Sequence, residues 1–97
     1  MKRYHVYILR CRDGSYYTGV TNDLTKRVWE HQNGLIKECY TQGRRPVELV
    51  FSEMFANIHH AIEVEKKIKG WNRQKKEALI ERRFEDLPFL AKSKPRK

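Results

Sequence analysis

Glu65 makes the strongest demand on its surroundings. Projected on a helix at about 100° per residue, residues 58–69 place Ile58, Ala61, Ile62 and Ile68 on one side. Glu65 falls in the middle of that stripe, and Glu63 points almost oppositely. A carboxylate facing a core is costly unless it is paired, hydrated or bound to metal. Three readings stay open on spacing alone: an ion pair with Arg27 as candidate partner, a catalytic or metal-holding carboxylate, and a half-wet position at the rim of the stripe.

Tyr7 and Tyr17 come next. Aromatic residues in strands are usually packing residues, yet Tyr16 and Tyr17 are adjacent and must face opposite ways, so the core explains one of them. Gly19 weakens a strand and leaves a gap on the face of Tyr17, where a phosphate or a backbone could come close. Arg27 and His31 are four apart, one above the other on a single helical face. His59 and His60 diverge by about 100° on a helix and have no Cys or His at zinc spacing, which makes them surface residues. The chain has no glycine-rich phosphate loop and no Cys-x-x-Cys pair.

The elements that must position these groups are short. Tyr4 to Arg10 is aromatic and β-branched and reads as a strand, and residues 15–20 read as a second. Asp13-Gly14 marks a hairpin between them. A two-residue loop would put Tyr7 and Tyr17 on opposite faces. A three-residue loop, Arg12-Asp13-Gly14 with Gly14 left-handed, pairs Tyr7 with Gly19 and Leu9 with Tyr17, and the two tyrosines then share a face. The longer loop is preferred because tyrosines that share a site must share a face.

Thr21 or Asn22 can cap a helix that begins at Asp23, with Leu24 and Val28 as its inner stripe and Gly34 as its stop. Residues 35–46 read mostly as loop, and Val47 to Phe55 as a third strand. Asn57 caps a second helix that runs to Lys69 and ends at Gly70. A third helix spans 73–83, with Ala78, Leu79 and Phe84 facing in. The pattern β-β-α-β-α-α predicts an α+β fold: a small, mostly antiparallel three-stranded sheet flanked by helices.

Ninety-seven residues allow one domain, placed at 1–90, followed by a basic tail at 91–97 expected to be disordered. The net charge of +9 favours a polyanionic partner, nucleic acid first. Residues 66–83 hold eight basic residues against Glu77 and Glu81, two-thirds of the net charge, with Trp71 inside the run. Lys66, Lys69, Arg73, Lys75 and Lys76 are the candidates for phosphate-backbone contact. No apolar run is long enough to cross a bilayer, and no secretory leader is evident. Cys11 and Cys39 are expected to stay reduced in a cytoplasmic protein, without a membrane role.

His5-Val6-Tyr7 followed by Tyr17-Thr18-Gly19 resembles the paired motif of the GIY-YIG nuclease superfamily. The likeness continues through Thr21-Asn22-Asp23-Leu24, Arg27, His31, Ala61 and Glu65. The segment from Glu65 to Trp71 looks like that of a small standalone bacterial branch, and the resemblance spans about Tyr4 to Ile80. It implies a three-stranded sheet with helices and the hydrolysis of a phosphodiester with one divalent metal, Mg2+ or Mn2+. Position by position, it implies that Tyr7 and Tyr17 are the motif tyrosines, one of them a general base. Arg27 would stabilise the pentacovalent phosphate, His31 matches a histidine of several branches, and Glu65 would be the metal ligand. Asn72 matches loosely a polar residue near the metal.

Two positions depart from the motif: His5 stands for a glycine and Val6 for an isoleucine. His5 changes the shape of the site without removing a catalytic group. The implied activity is an endonuclease on DNA, favoured over RNA, with branched or damaged forms among its substrates. The alternative is a nucleic-acid-binding module with weak or no catalysis. So small a domain has little surface for sequence readout, and a protein partner could supply specificity.

Overall fold

In a computed structural model, residues 3–37 and 39–84 are described. The tail at 91–97 and the end of the proposed domain lie outside them. The elements run β1 (Tyr4–Arg10), β2 (Tyr16–Thr21), α1 (Leu24–Gln32), a 3-10 turn (Gln42–Arg44), β3 (Glu48–Phe55), α2 (Ile58–Lys69) and α3 (Arg73–Ile80). The order is the one expected. The sheet is antiparallel throughout, in the order β2-β1-β3.

The hairpin has the longer loop. Tyr7 pairs with Gly19 and Leu9 with Tyr17. Gly14 takes φ +86°, a left-handed value open to glycine at little cost. Asp13 accepts from the Ser15 amide and hydroxyl and closes the turn.

Two helix ends differ from the reading, and one side chain does. Asp23 itself is the N-cap of α1, accepting from the Lys26 amide, so its carboxylate works as a cap and not as a first-turn acid. The Thr21 hydroxyl accepts from the Asp23 amide one step upstream. α3 stops at Ile80, because Arg82 turns left-handed and the Arg83 amide donates back to the Ala78 carbonyl. Phe84 is 48 % exposed rather than facing in. Asn57 and Gly70 bound α2 as read, and Asn72 caps α3.

The alternation of β1 divides the core in two. Val6 and Ile8 join Phe51, Ala61, Ile68 and Leu79 on the face covered by α2 and α3. Tyr7 and Leu9 join Cys11 and Val47 on the other, with Tyr17, Leu24 and Val28 packed against them. The pleat of β2 likewise splits the adjacent tyrosines: Tyr16 goes with the first cluster and Tyr17 with the second. None of the described helices is long and apolar enough to cross a membrane.

Candidate active site

Tyr7, Tyr17 and His31 meet on the α1 face of the sheet. β1 and β2 present the tyrosines, with ring centroids 6.4 Å apart. The inner face of α1 brings His31 to 5.8 Å from the Tyr7 ring and 5.1 Å from the Tyr17 ring. The Tyr7 hydroxyl lies 3.0 Å from His31 Nε2, a buried hydrogen bond. Tyr7 is 2 % exposed and His31 1 %, whereas Tyr17 is half-buried.

Gly19 has a different use from the one its type suggested. A β-carbon there would stand 2.5 Å from the Tyr7 hydroxyl oxygen, so the cross-strand phenol fills the gap. The gap admits Tyr7 and leaves no opening for a phosphate at that point.

The electrostatics keep all three rings neutral. Burial pushes the Tyr17 phenol up to about 12, with Cys39 adding to the rise. Burial raises Tyr7 further, and the nearby Tyr17 adds to it. Arg27 opposes both rises but is outweighed. His31 lies below its ordinary value because burial and the Arg27 charge disfavour the imidazolium. A protonated His31 is thus not what would activate a tyrosine here. A neutral imidazole keeps one ring nitrogen free to accept a hydrogen bond.

Arg27 and Glu65 both act on both tyrosines through their charges. Arg27 rests on Glu30, one turn along α1, at 3.4 Å. Glu65 sits with Ala61 and Ile68 on the buried stripe of α2, as its spacing required. Its partner is Lys69, Nζ to Oε2 2.6 Å, and not Arg27. The carboxylate is 9 % exposed and the lysine 53 % exposed, so the pair is lopsided: a fixed anion with a cation that can swing into water.

That donor set suits a hard cation. Glu65 offers carboxylate oxygens, and magnesium or manganese draws its remaining ligands from water and phosphate. The Thr18 hydroxyl is buried without a partner on the sheet face that α2 covers. No group of three or more acidic, His or Cys residues that could hold a metal occurs among the described residues, so a bound ion would lean on Glu65 and on substrate oxygens.

The loop between α1 and β3 brings residues that the sequence reading left out. Thr41 is 1 % exposed, and its Oγ1 lies 2.8 Å from His31 Nδ1. The Thr41 hydroxyl donates to Cys39 Sγ at 3.5 Å, which is itself 4.0 Å from His31 Nδ1. Tyr40 stacks on Tyr17 at 6.3 Å, and Arg44 lies 3.9 Å over Tyr40. Arg44 also ties the loop to the hairpin turn through Asp13 at 3.1 Å. An aromatic and two hydrogen-bonding side chains in a row, Cys39-Tyr40-Thr41, were the available signal; a loop has no periodicity to show which way they point.

The basic candidates divide. Lys66 is exposed on α2. Lys69 holds Glu65. Arg73 is committed to Glu77, to the Gly14 carbonyl and to the Tyr16 ring. Lys75 lies over Trp71, and Lys76 is partly buried, which lowers its pKa. Arg82 and Arg83 pair with Glu53 and Glu81. The signs in this run are more interleaved in space than along the chain. Cys11 and Cys39 are both free thiols.

The GIY-YIG catalytic-domain model matches residues 3–78. The UPF0213 protein SSP2268 of Staphylococcus saprophyticus is 46 % identical over 80 residues, 82 % of this chain and 96 % of that protein. The UPF0213 protein YazA of Bacillus subtilis is 47 % identical over 75 residues, 77 % of this chain and 75 % of that one. Two solution NMR structures share the fold. The UPF0213 protein BH0048 of Bacillus halodurans is 40 % identical with a TM-score of 0.54, covering 81 % of this chain and 83 % of that one. The protein EF2693 of E. faecalis is 31 % identical with a TM-score of 0.58, covering 84 % and 85 %.

Proposed function

The chain belongs to the GIY-YIG catalytic-domain family, a nuclease class, and from that premise we propose that it is an endonuclease hydrolysing phosphodiester bonds in DNA with one divalent cation, Mg2+ or Mn2+. The observation that carries this reading is the Tyr7 hydroxyl set 3.0 Å from a neutral, buried His31 Nε2 within the fields of Arg27 and Glu65.

A phenol held above its ordinary pKa is a poor base by itself. Backed by imidazole, it need never become a phenolate. The Tyr7 oxygen takes a proton from the attacking water as its own proton passes to Nε2, and the charge rests on the imidazolium. The burial of Tyr7 and His31 keeps bulk water from the couple. Tyr17, half-exposed and stacked on Tyr40, is the tyrosine that a bound phosphodiester meets first. Arg27 turns its planar fork from Glu30 to the phosphate oxygens as negative charge builds on them. Glu65, once Lys69 has moved aside, would hold the cation, which supplies Lewis-acid stabilisation of the phosphate and of the leaving oxygen. Lys66 and its neighbours on α2 supply attraction for the phosphate backbone. Residues 1–90 are read as a single domain of this family, in a cytoplasmic protein, with a protein partner as a source of specificity.

A second reading draws on the Glu65–Lys69 contact. A carboxylate already neutralised by its own helix would suit a nucleic-acid-binding module with little or no catalysis. A cleavage panel separates the two: single-stranded, duplex, flap and four-way-junction DNA, with Mg2+ and Mn2+ in turn, and Glu65→Gln purified in parallel. Cutting by the wild type and none by the variant is the expected result. Equal behaviour of the two, with binding intact in both, would select the binding module.

A further inference from the structure

We infer that Thr41 is a positioning residue that fixes the tautomer of His31: its Oγ1 accepts a hydrogen bond from Nδ1–H, its hydroxyl donates to Cys39 Sγ, and Nε2 is so left bare to accept from Tyr7. The tautomer stands on hydrogen-bond accounting alone, and its part in catalysis rests on the nuclease reading above.

The accounting starts from neutrality. With a single proton on the ring, one nitrogen donates and the other accepts. Nδ1 faces Thr41 Oγ1 at 2.8 Å and Nε2 faces the Tyr7 hydroxyl at 3.0 Å. Both partners are hydroxyls, able to donate or accept, so these two contacts alone fit either tautomer. Their own second contacts differ. Thr41 has an outlet for its hydrogen, Cys39 Sγ at 3.5 Å. The Tyr7 hydroxyl makes its hydrogen bond to His31. With Nδ1–H, three bonds run in one direction: Tyr7 O–H to Nε2, Nδ1–H to Thr41 Oγ1, and Thr41 O–H to Cys39 Sγ. With Nε2–H, the ring would donate to Tyr7, and the buried phenolic hydrogen would lose its acceptor. A buried donor left without a partner carries its full desolvation penalty, enough to set the ratio of two tautomers. Cys39 sulfur is also a willing acceptor. The thiol is partly desolvated, but donors from Thr41 and Tyr17 favour its charged form and bring its pKa below the ordinary value.

Thr41 therefore acts through His31 and touches no substrate. Its hydroxyl aims the acceptor lone pair of the imidazole at the one phenol that needs it. Thr41→Val keeps the shape and removes both the acceptor and the donor; Thr41→Ser keeps both.

The test is long-range 1H–15N correlation spectroscopy on the 15N-labelled full chain, at a pH where His31 is neutral. The His31 signal is identified by its loss in His31→Gln. The expected result is the Nδ1–H pattern in the wild type, retained in Thr41→Ser, with the Nε2–H pattern growing in Thr41→Val. In the cleavage assay, kcat should fall roughly ten- to hundredfold in Thr41→Val with KM little changed, and recover in Thr41→Ser. An Nε2–H pattern in the wild type, or an unchanged pattern in Thr41→Val, overturns the inference. If Thr41→Val does not fold, Cys39→Ala removes the outlet for the Thr41 hydrogen, and the same shift toward Nε2–H is expected. The spectra need no nuclease activity, so a chain that shows the tautomer shift and cuts nothing would sink the nuclease reading and keep the tautomer assignment.

Discussion

Gly19 and Tyr7 are cross-strand partners, and the glycine has no side chain because the tyrosine hydroxyl occupies that space. The contact joins the two halves of the paired motif directly: one strand supplies the phenol and the other the room for it. Gly19→Ala is expected to push the Tyr7 oxygen off His31 Nε2. Overpacking of this kind costs about 1–3 kcal/mol. Thermal unfolding should register that loss, and cleavage should fall more steeply than the loss of folded protein explains. An alanine variant as stable and as active as the wild type would contradict the contact.

His31 predicts how stability and activity vary with pH. Burial and Arg27 hold its pKa below 6.5 in the folded chain. The unfolded chain then binds the proton first, so stability should fall as pH drops through 6.5 and level off once the folded histidine is also protonated. Cleavage should be lost at lower pH than this stability limb begins, because Nε2 is blocked only once the folded histidine itself takes the proton. Chemical denaturation across pH 4–8, an interval chosen about the ordinary histidine value, should show this slope, and His31→Gln should flatten it.

The tyrosines predict the alkaline side. Their neutral forms are favoured in the fold, Tyr17 up to about 12 and Tyr7 more strongly. The stability that this contributes is complete below 10 and is lost as pH rises through the folded values. No decline in cutting from phenol ionisation is expected below 10. Ultraviolet titration of tyrosinate absorbance, compared with Tyr17→Phe, checks it: a phenol ionising well below 10 in the folded chain would be the contrary result.

Lys69 predicts a readout of metal binding that needs no substrate. Lys69→Met leaves the Glu65 carboxylate 9 % exposed and unpaired. In metal-free buffer the variant should be destabilised by about 1 kcal/mol, the scale of a pair with one exposed partner. Added Mg2+ or Mn2+ should raise its melting temperature more than that of the wild type, since a ligand that binds the folded state stabilises it by mass action. Equal shifts in both would argue against Glu65 as the ligand.

Lys66 and Arg73 look alike in the sequence but not in the structure. Lys66 is exposed, so Lys66→Ala should weaken DNA binding and lower the salt slope by about 0.9 if it meets one phosphate. Arg73 bridges the hairpin turn, Tyr16 and Glu77. Arg73→Ala should cost stability and leave the slope nearly unchanged. Binding isotherms over a range of salt, set beside denaturation curves, separate the two.

What the sequence made legible follows from the range of each signal. Helical spacing, a local rule, put Glu65 on the buried stripe of α2. The Asp13-Gly14 turn located the hairpin but left two loop lengths open, and the need for Tyr7 and Tyr17 to share a face chose the register that is observed. The partner of Glu65 was missed because Arg27 and Lys69 are both plausible cations for it, and only the packing of α2 decides between them. Thr41 was missed for a stronger reason. Its role depends on a loop folding back onto α1, held by Arg44 on Asp13, and no periodicity encodes that return. The neutrality of His31 was not legible, because burial, which opposes the charge, is a tertiary property.

Tyr7 belongs to the packed cluster of Leu9, Cys11 and Val47 as much as to the site. Glu65 stands on an otherwise apolar stripe, where a leucine would serve the fold better. The two therefore answer to opposite pressures in descent. A lineage released from cutting DNA would shed Glu65 early and gain stability by doing so, while Tyr7, Gly19 and His31 would persist as a keystone of the sheet. Under the nuclease reading, the tyrosine half of the signature would then record ancestry alone, and a retained glutamate would mark the chains that still cut.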